Sequence, residues 1–315
     1  MLKLIARRLG LGLLTLLAVS ALIFASTEVL PGDVASAILG QQATPEALAA
    51  IRGELGLDRP AIVRYFDWLW GFLHGDLGRS LANRQSIATQ IGQRLENTLF
   101  LAAVAAVIAV PLAVGLGIIA AIRRESLLDR AISILTLSTI SVPEFFVGYL
   151  LIILLAVQFP VFPSLSTVSA GMGWGESLYI VALPALTLTL VVVAHMMRMT
   201  RAAVIDVLSA PYIEMARLKG LPEWRVVLQH ALPNALGPIA TVVALNLAYL
   251  VVGVVVVEVV FVYPGMGQYM VDAVTKRDVP AVQACTLVFA ITYVGLNLTA
   301  DLLGIVSNPR LRHPR

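Results

Sequence analysis

Six long apolar stretches dominate this chain, near 9–30, 97–121, 131–157, 177–197, 236–262 and 283–306. A helix needs about 20 apolar residues to cross the hydrocarbon core of a bilayer, because every backbone amide buried in lipid must be paired within its own segment. The expected fold class is therefore an all-α integral membrane protein with six transmembrane helices. Composition agrees: 59% of the 315 residues are apolar and only 13% charged, far from the globular balance. A net charge of +3, with no block of like charges, excludes a surface that tracks a nucleic-acid backbone. Cys285 is the lone cysteine, so no intrachain disulfide forms. His74, His195, His230 and His313 are scattered, with no pair at helical ligand spacing, so no metal site is expected.

The first stretch follows Lys3, Arg7 and Arg8, as a secretory n-region would, and Val19-Ser20-Ala21 resembles a cleavage site. Its uncharged run from Leu9 to Thr27 is long for a signal peptide, which favours a retained span. Basic residues near span ends stay in the cytoplasm. With the N-terminus inside, the cytoplasmic segments hold Lys3, Arg7, Arg8, Arg123, Arg124, Arg130, Arg198, Arg201, Arg217, Lys219, Arg225, Arg310, Arg312 and Arg315, fourteen of the 22 basic residues. The two short outer loops hold only Lys276 and Arg277, and the other six lie in the long 31–96 segment, where the rule has little force. Both termini are therefore expected in the cytoplasm, with the chain multi-pass in the membrane.

Within 31–96, Thr44-Pro45-Glu46 supplies an N-cap, a proline at the first helical position and an acid in the first turn, and Gly56 a stop. A second start at Asp58-Arg59-Pro60 leads into Tyr65, Phe66, Trp68, Trp70 and Phe72, aromatics dense enough to anchor a helix at the outer membrane interface. That helix reads either as a lid packed on the bundle or as a docking surface for an external partner. The segment from Arg198 to Ala235 is polar yet punctuated like a compact structure. Two short helices joined by a bend are expected: Tyr212 to Lys219, a left-handed stop at Gly220, Pro222 in the first turn of the next helix, and Pro233 ending that helix or kinking it into the fifth span.

The stretch Glu214-Met215-Ala216-Arg217-Leu218-Lys219-Gly220, followed by His230-Ala231-Leu232-Pro233, resembles the Glu-Ala-Ala, Gly, Leu-Pro motif of binding-protein-dependent ABC importer permeases. Met215 stands where that motif usually has alanine, and His230 where many such permeases have isoleucine. Leu30-Pro31-Gly32-Asp33, Leu55-Gly56-Leu57-Asp58-Arg59-Pro60 and Gly75-Asp76-Leu77-Gly78-Arg79-Ser80 are similar to the first outer segment of the dipeptide, oligopeptide and nickel permease family. Glu258-Val259-Val260-Phe261, Pro264-Gly265-Met266-Gly267, Arg277-Asp278, Asn297-Leu298-Thr299-Ala300-Asp301 and Asn308-Pro309-Arg310 extend the resemblance along nearly the whole chain.

The resemblance implies a type I ABC importer permease fold carrying peptides or similar small solutes. Its parts are then 1–30, a tail and first span; 31–96, a periplasmic segment with short amphipathic helices; and 97–315, the core with a coupling loop at 198–235. Glu214, Met215, Ala216, Gly220, Leu232 and Pro233 are the residues expected to couple it to an ATPase. It also implies a second homologous permease, one or two ATP-binding subunits and a periplasmic or surface substrate-binding protein. No Gly-x-x-x-x-Gly-Lys-Ser/Thr loop occurs, and none of Lys3, Lys219 and Lys276 follows a glycine, so ATP and its Mg ion belong to partner subunits and this chain needs no cofactor.

Charges inside spans are costly unless they face a cavity or a partner. Glu28, Glu144, Glu258 and Asp301 qualify by position. Glu144 stands mid-span beside the helix-bending Pro143, which suits a pathway lining. Glu28, Glu258 and Asp301 lie near span ends, where reaching interfacial water explains them as well. Asn297 and Asp301 share one helix face, one turn apart. The candidate pathway set is Pro143, Glu144, Glu258, Asn297 and Asp301. An ion-coupled secondary transporter is the alternative, but it calls for internal repeats of spans, which the halves do not display, and leaves 198–235 without a purpose. An intramembrane enzyme finds no His-Glu-x-x-His or Gly-x-Ser-x-Gly here.

Overall fold

A computed structural model describes residues 2–29, 44–54, 56, 58–168 and 171–307. The motifs Leu30-Pro31-Gly32-Asp33 and Asn308-Pro309-Arg310, together with Leu55, Leu57, Arg312, His313 and Arg315, lie outside the described residues. The described residues form helices joined by turns and loops, with one isolated antiparallel bridge between Arg79 and Ser86.

In chain order the helices are α1 (Leu2–Val29), α2 (Pro45–Glu54), α3 (Ala61–Leu73), α4 (Ile87–Ile122), α5 (Leu127–Ile140), α6 (Glu144–Gln158), α7 (Trp174–Ile180), α8 (Ala182–Leu208), α9 (Pro211–Leu218), α10 (Glu223–Val260), α11 (Met266–Thr275) and α12 (Val279–Ser307). Five of them, α1, α4, α8, α10 and α12, are long and apolar enough to cross a membrane, and α5 with α6 makes a sixth candidate bent by 98°. The bend falls at Ser141-Val142-Pro143. Proline has no N–H to continue the helix and drives Val142 out of the helical region, so the third expected span becomes two segments meeting at nearly a right angle.

The closest packing joins α4 to α8. Ala102, Ala105, Ala109, Ala113, Gly117 and Ala120 form a buried stripe of small residues on α4. Such a stripe lets backbones approach, which matters in lipid, where apolar burial alone gives helices no reason to associate. At Gly117 a Cβ would lie 2.8 Å from the Met197 carbonyl oxygen. Leu183, Leu188, Val192, Met196 and Met197 of α8 and Leu250, Val254 and Val257 of α10 complete this core.

The spans run alternately, so the ends of the bundle can be told apart. Ala121, Val204, Ala235 and Ile239 cluster at one end, beside α9. Arg8 pairs with Asp301 toward that same end, while Thr27 accepts a 2.6 Å bond from Gln283 Nε2 toward the other. The second end is built on Ile87, Ile91, Met266, Tyr269, Ala281 and Cys285.

Several element boundaries differ from the sequence reading. α8 continues eleven residues beyond 197, since Arg198 and Arg201 end the apolar run without ending the helix. The expected pair of short helices over 198–235 is one short helix, α9, and the base of a long one: α10 runs unbroken into the fifth span. Pro233 does not end it: Val226–Ala231 form a wider π-helical turn just before the proline, where an α-helical carbonyl would meet its ring. Pro222 is the N-cap of α10 rather than part of its first turn. α4 begins at Ile87, inside the segment read as 31–96, and α11 occupies what reads as a loop.

Candidate functional site: the loop between α8 and α10

Residues 209–222 form a small structure with its own core. Pro211 opens α9, and Ile213 and Ala216 on its inner face pack against Val226 and Ala231 of α10. Gly220 follows with φ +76°, a conformation that residues with a Cβ adopt at a cost, and its N–H bonds the Arg217 carbonyl at 2.9 Å. Across this turn Arg217 Nη2 donates to Glu223 Oε1 at 2.6 Å. That hydrogen bond also raises the Arg217 pKa above its ordinary value.

The outer surface of the same loop is apolar. Tyr212, Met215, Leu218, Trp224 and Leu228 are all exposed, Leu218 at 74%. Of the six coupling candidates, Glu214, Met215 and Gly220 face outward, Ala216 is buried, and Leu232 and Pro233 sit in α10 behind them. The fixed Gly220 turn and the Arg217–Glu223 pair thus hold a hydrophobic surface on a rigid base. Exposed apolar surface of this kind is suited to contact with another protein or with a membrane.

The pathway candidates do not converge. Glu144 lies in the first turn of α6, after the break rather than in mid-helix, and accepts a 2.8 Å bond from the Tyr249 hydroxyl of α10. Glu258 is fully buried. It accepts from Thr98 Oγ1 at 2.6 Å, from Gly267 N at 2.7 Å and from Gln268 N at 3.1 Å, while Thr98 Oγ1 accepts from Met266 N at 2.8 Å. An acid is favoured at this place because the α11 N-terminus offers amides with no partner inside the helix. A Cβ at Gly265 would lie 2.1 Å from Glu258 Oε1, so glycine is required there. Asn297 bonds back to the Tyr293 carbonyl of its own helix at 2.9 Å, and Asp301 pairs with Arg8.

One buried ion pair is not among the sequence candidates. Arg201 of α8 grips Asp129 of α5 through two bonds of 2.7 Å. Asp129 also accepts from Glu125 N at 2.9 Å, and its own N–H donates to Ser126 Oγ, the α5 N-cap. The spacing Ser126-x-x-Asp129 was the available signal, a near capping box, but nothing in it names Arg201. Among the described residues no group of three or more His, Cys, Asp or Glu side chains is placed to hold a metal ion.

Residues 113–313 match the family described as binding-protein-dependent transport system inner membrane component, and residues 1–102 match the N-terminal component of the same transport systems. This chain belongs to that permease family. The dipeptide transport system permease protein DppB of Escherichia coli (strain K12) is 35% identical over 339 residues, covering 100% of both chains. The glutathione transport system permease protein GsiC of Escherichia coli O6:H1 (strain CFT073) is 40% identical over 314 residues, covering 99% of this chain and 100% of that one. The chain is thus a multi-pass inner membrane permease subunit of a binding-protein-dependent ABC importer. Permease subunits of this family carry no ATPase activity, and the system implies separate ATPase and binding-protein partners. The ion-coupled alternative falls with this assignment.

Proposed function

We propose that this permease forms half of a peptide translocation pathway, pairing with a second homologous permease, and that α9 with the base of α10 is the element on which an ATPase subunit docks. The observation that carries the docking reading is the apolar face of Tyr212, Met215, Leu218, Trp224 and Leu228 on a loop with its own buried core. The basic residues of that end support a cytoplasmic ATPase, with both chain termini on the same side. Whether one ATPase subunit type or two complete the complex, each permease offers one such face.

Peptide cargo is supported by relatives named for dipeptides and for glutathione, itself a tripeptide. Glu144, part-exposed and bonded to the exposed Tyr249 beside the break at Pro143, is where cargo is expected to pass. The enclosed Glu258 and the paired Asp301 instead hold helices together.

A cysteine at Leu218 tests the docking. In the assembled importer, a short bismaleimide should join it to an ATPase subunit carrying single cysteines around its permease-facing cleft, and the yield should change with bound nucleotide. Crosslinking at Asn83 and none at Leu218 would overturn the reading.

A further inference from the structure

The helix α3 has two unlike faces. One is pinned to the far end of α1: the Tyr65 hydroxyl meets Ser20 Oγ at 2.8 Å, Arg64 pairs with Glu28, and the Phe24 ring lies 5.6 Å from Tyr65 and 6.0 Å from Trp68 between centroids. The other carries Ile62, Phe66, Trp70 and Leu73, exposed at 61, 60, 67 and 69%. At 100° per residue these four fall within an arc of about 80°, opposite the pinned face. The rings against them, His74 at 4.3 Å from Trp70 and Tyr65 at 5.3 Å from Phe66, come from the same stretch of chain and leave each of the four mostly exposed.

We propose that this face is inserted among the lipids of the adjoining leaflet, so that α3 is a membrane-interfacial helix rather than an extramembrane lid. Three observations choose lipid as the occupant. The helix to which α3 is pinned, α1, is itself a candidate span, with Leu13, Leu14 and Leu22 exposed at 62, 63 and 65%. The Tyr65 hydroxyl meets Ser20, eight residues or about 12 Å inside α1 from Glu28, so the tip of that side chain lies at the depth of a residue within the span. The exposed set is aromatic and aliphatic without a charge, and aromatic residues settle at the boundary between headgroups and acyl chains. A docking face for a soluble binding protein would instead stand clear of the bilayer. The placement holds whichever end of the bundle faces the cytoplasm.

Nitroxide labels on Phe66→Cys, Trp70→Cys and Asn83→Cys test this in the whole importer, reconstituted in phosphatidylcholine nanodiscs. The native Cys285 is buried. At 66 and 70, relaxation by oxygen should exceed relaxation by a water-soluble nickel chelate by about tenfold, with the reverse at 83. Nickel accessibility at 66 and 70 equal to that at 83 would overturn the proposal. So would protection from both relaxants, which would mean another subunit covers the face, or protection that arises only on adding the binding protein, which would make it the docking surface.

Discussion

The guanidinium of Arg201 holds both carboxylate oxygens of Asp129, tying α8 to the first turn of α5 across 72 residues of sequence. Only 5% of the Asp129 side chain is exposed, against 28% for Arg201. Removing one partner of a buried pair leaves the other charge uncompensated, at a cost of about 3–5 kcal/mol. Arg201→Ala should therefore lower the thermal stability of the purified complex markedly, while Asp129→Asn with Arg201→Gln should recover much of the loss. Equal stability of Arg201→Ala and wild type in a detergent melt would show that the pair contributes little.

Gly265 and Glu258 make a lock that tolerates no added methyl group. With a Cβ due 2.1 Å from the carboxylate, Gly265→Ala must displace Glu258 or the start of α11. We expect low yield of folded permease and rapid proteolysis near α11. Glu258→Gln keeps the shape and one acceptor, so it should fold better than Gly265→Ala.

At Gly220 the situation is reversed, since nothing lies within 4 Å of where a Cβ would sit. Any penalty is conformational, about 1–3 kcal/mol for a β-branched residue at positive φ. Gly220→Val should insert normally yet lose transport in proteoliposomes, and Gly220→Asn should retain much of it. Normal uptake and normal binding-protein-stimulated ATP hydrolysis by Gly220→Val would remove the loop from the coupling role.

Glu144→Gln preserves an acceptor for the Tyr249 hydroxyl while removing the charge. Assembly should be unchanged and peptide uptake altered in KM, in kcat or in cargo preference. Identical kinetics across a panel of charged and neutral peptides would make the residue a packing element only.

The orientation is tested with two single cysteines, both at exposed positions. An impermeant maleimide should label Asn83→Cys in cells with a permeabilised outer envelope and should reach Ser209→Cys only after lysis. Labelling in the opposite order would place the N-terminus outside.

The spans, the break at Pro143 and the turn at Gly220 were legible because each follows from local rules: length in lipid, a missing amide, a left-handed backbone. α2 was legible for the same reason, and it appears as Pro45–Glu54 with Gly56 at φ +63°. What escaped depends on partners far away in sequence. Glu258 reads as a span-end acid until Thr98 and the amides of α11 close around it. Arg201 reads as one more cytoplasmic charge until Asp129 is seen beside it. Met266–Thr275 is too short and too mixed to stand out between two spans, and its N-terminus is fixed by that same carboxylate.

α10 is one continuous helical span from Glu223, in the base of the loop, to Val260, two residues past Glu258, with a π-helical turn at Val226–Ala231. Its 38 residues extend about 57 Å at 1.5 Å each. A tilt of about 5° at its foot would carry the opposite tip sideways by about 5 Å, roughly one helical pitch. The lock at Glu258 would take α11 along with it. If α10 moves as one body, a push delivered at one face of the membrane would be felt at the other without a relay of rearranging side chains.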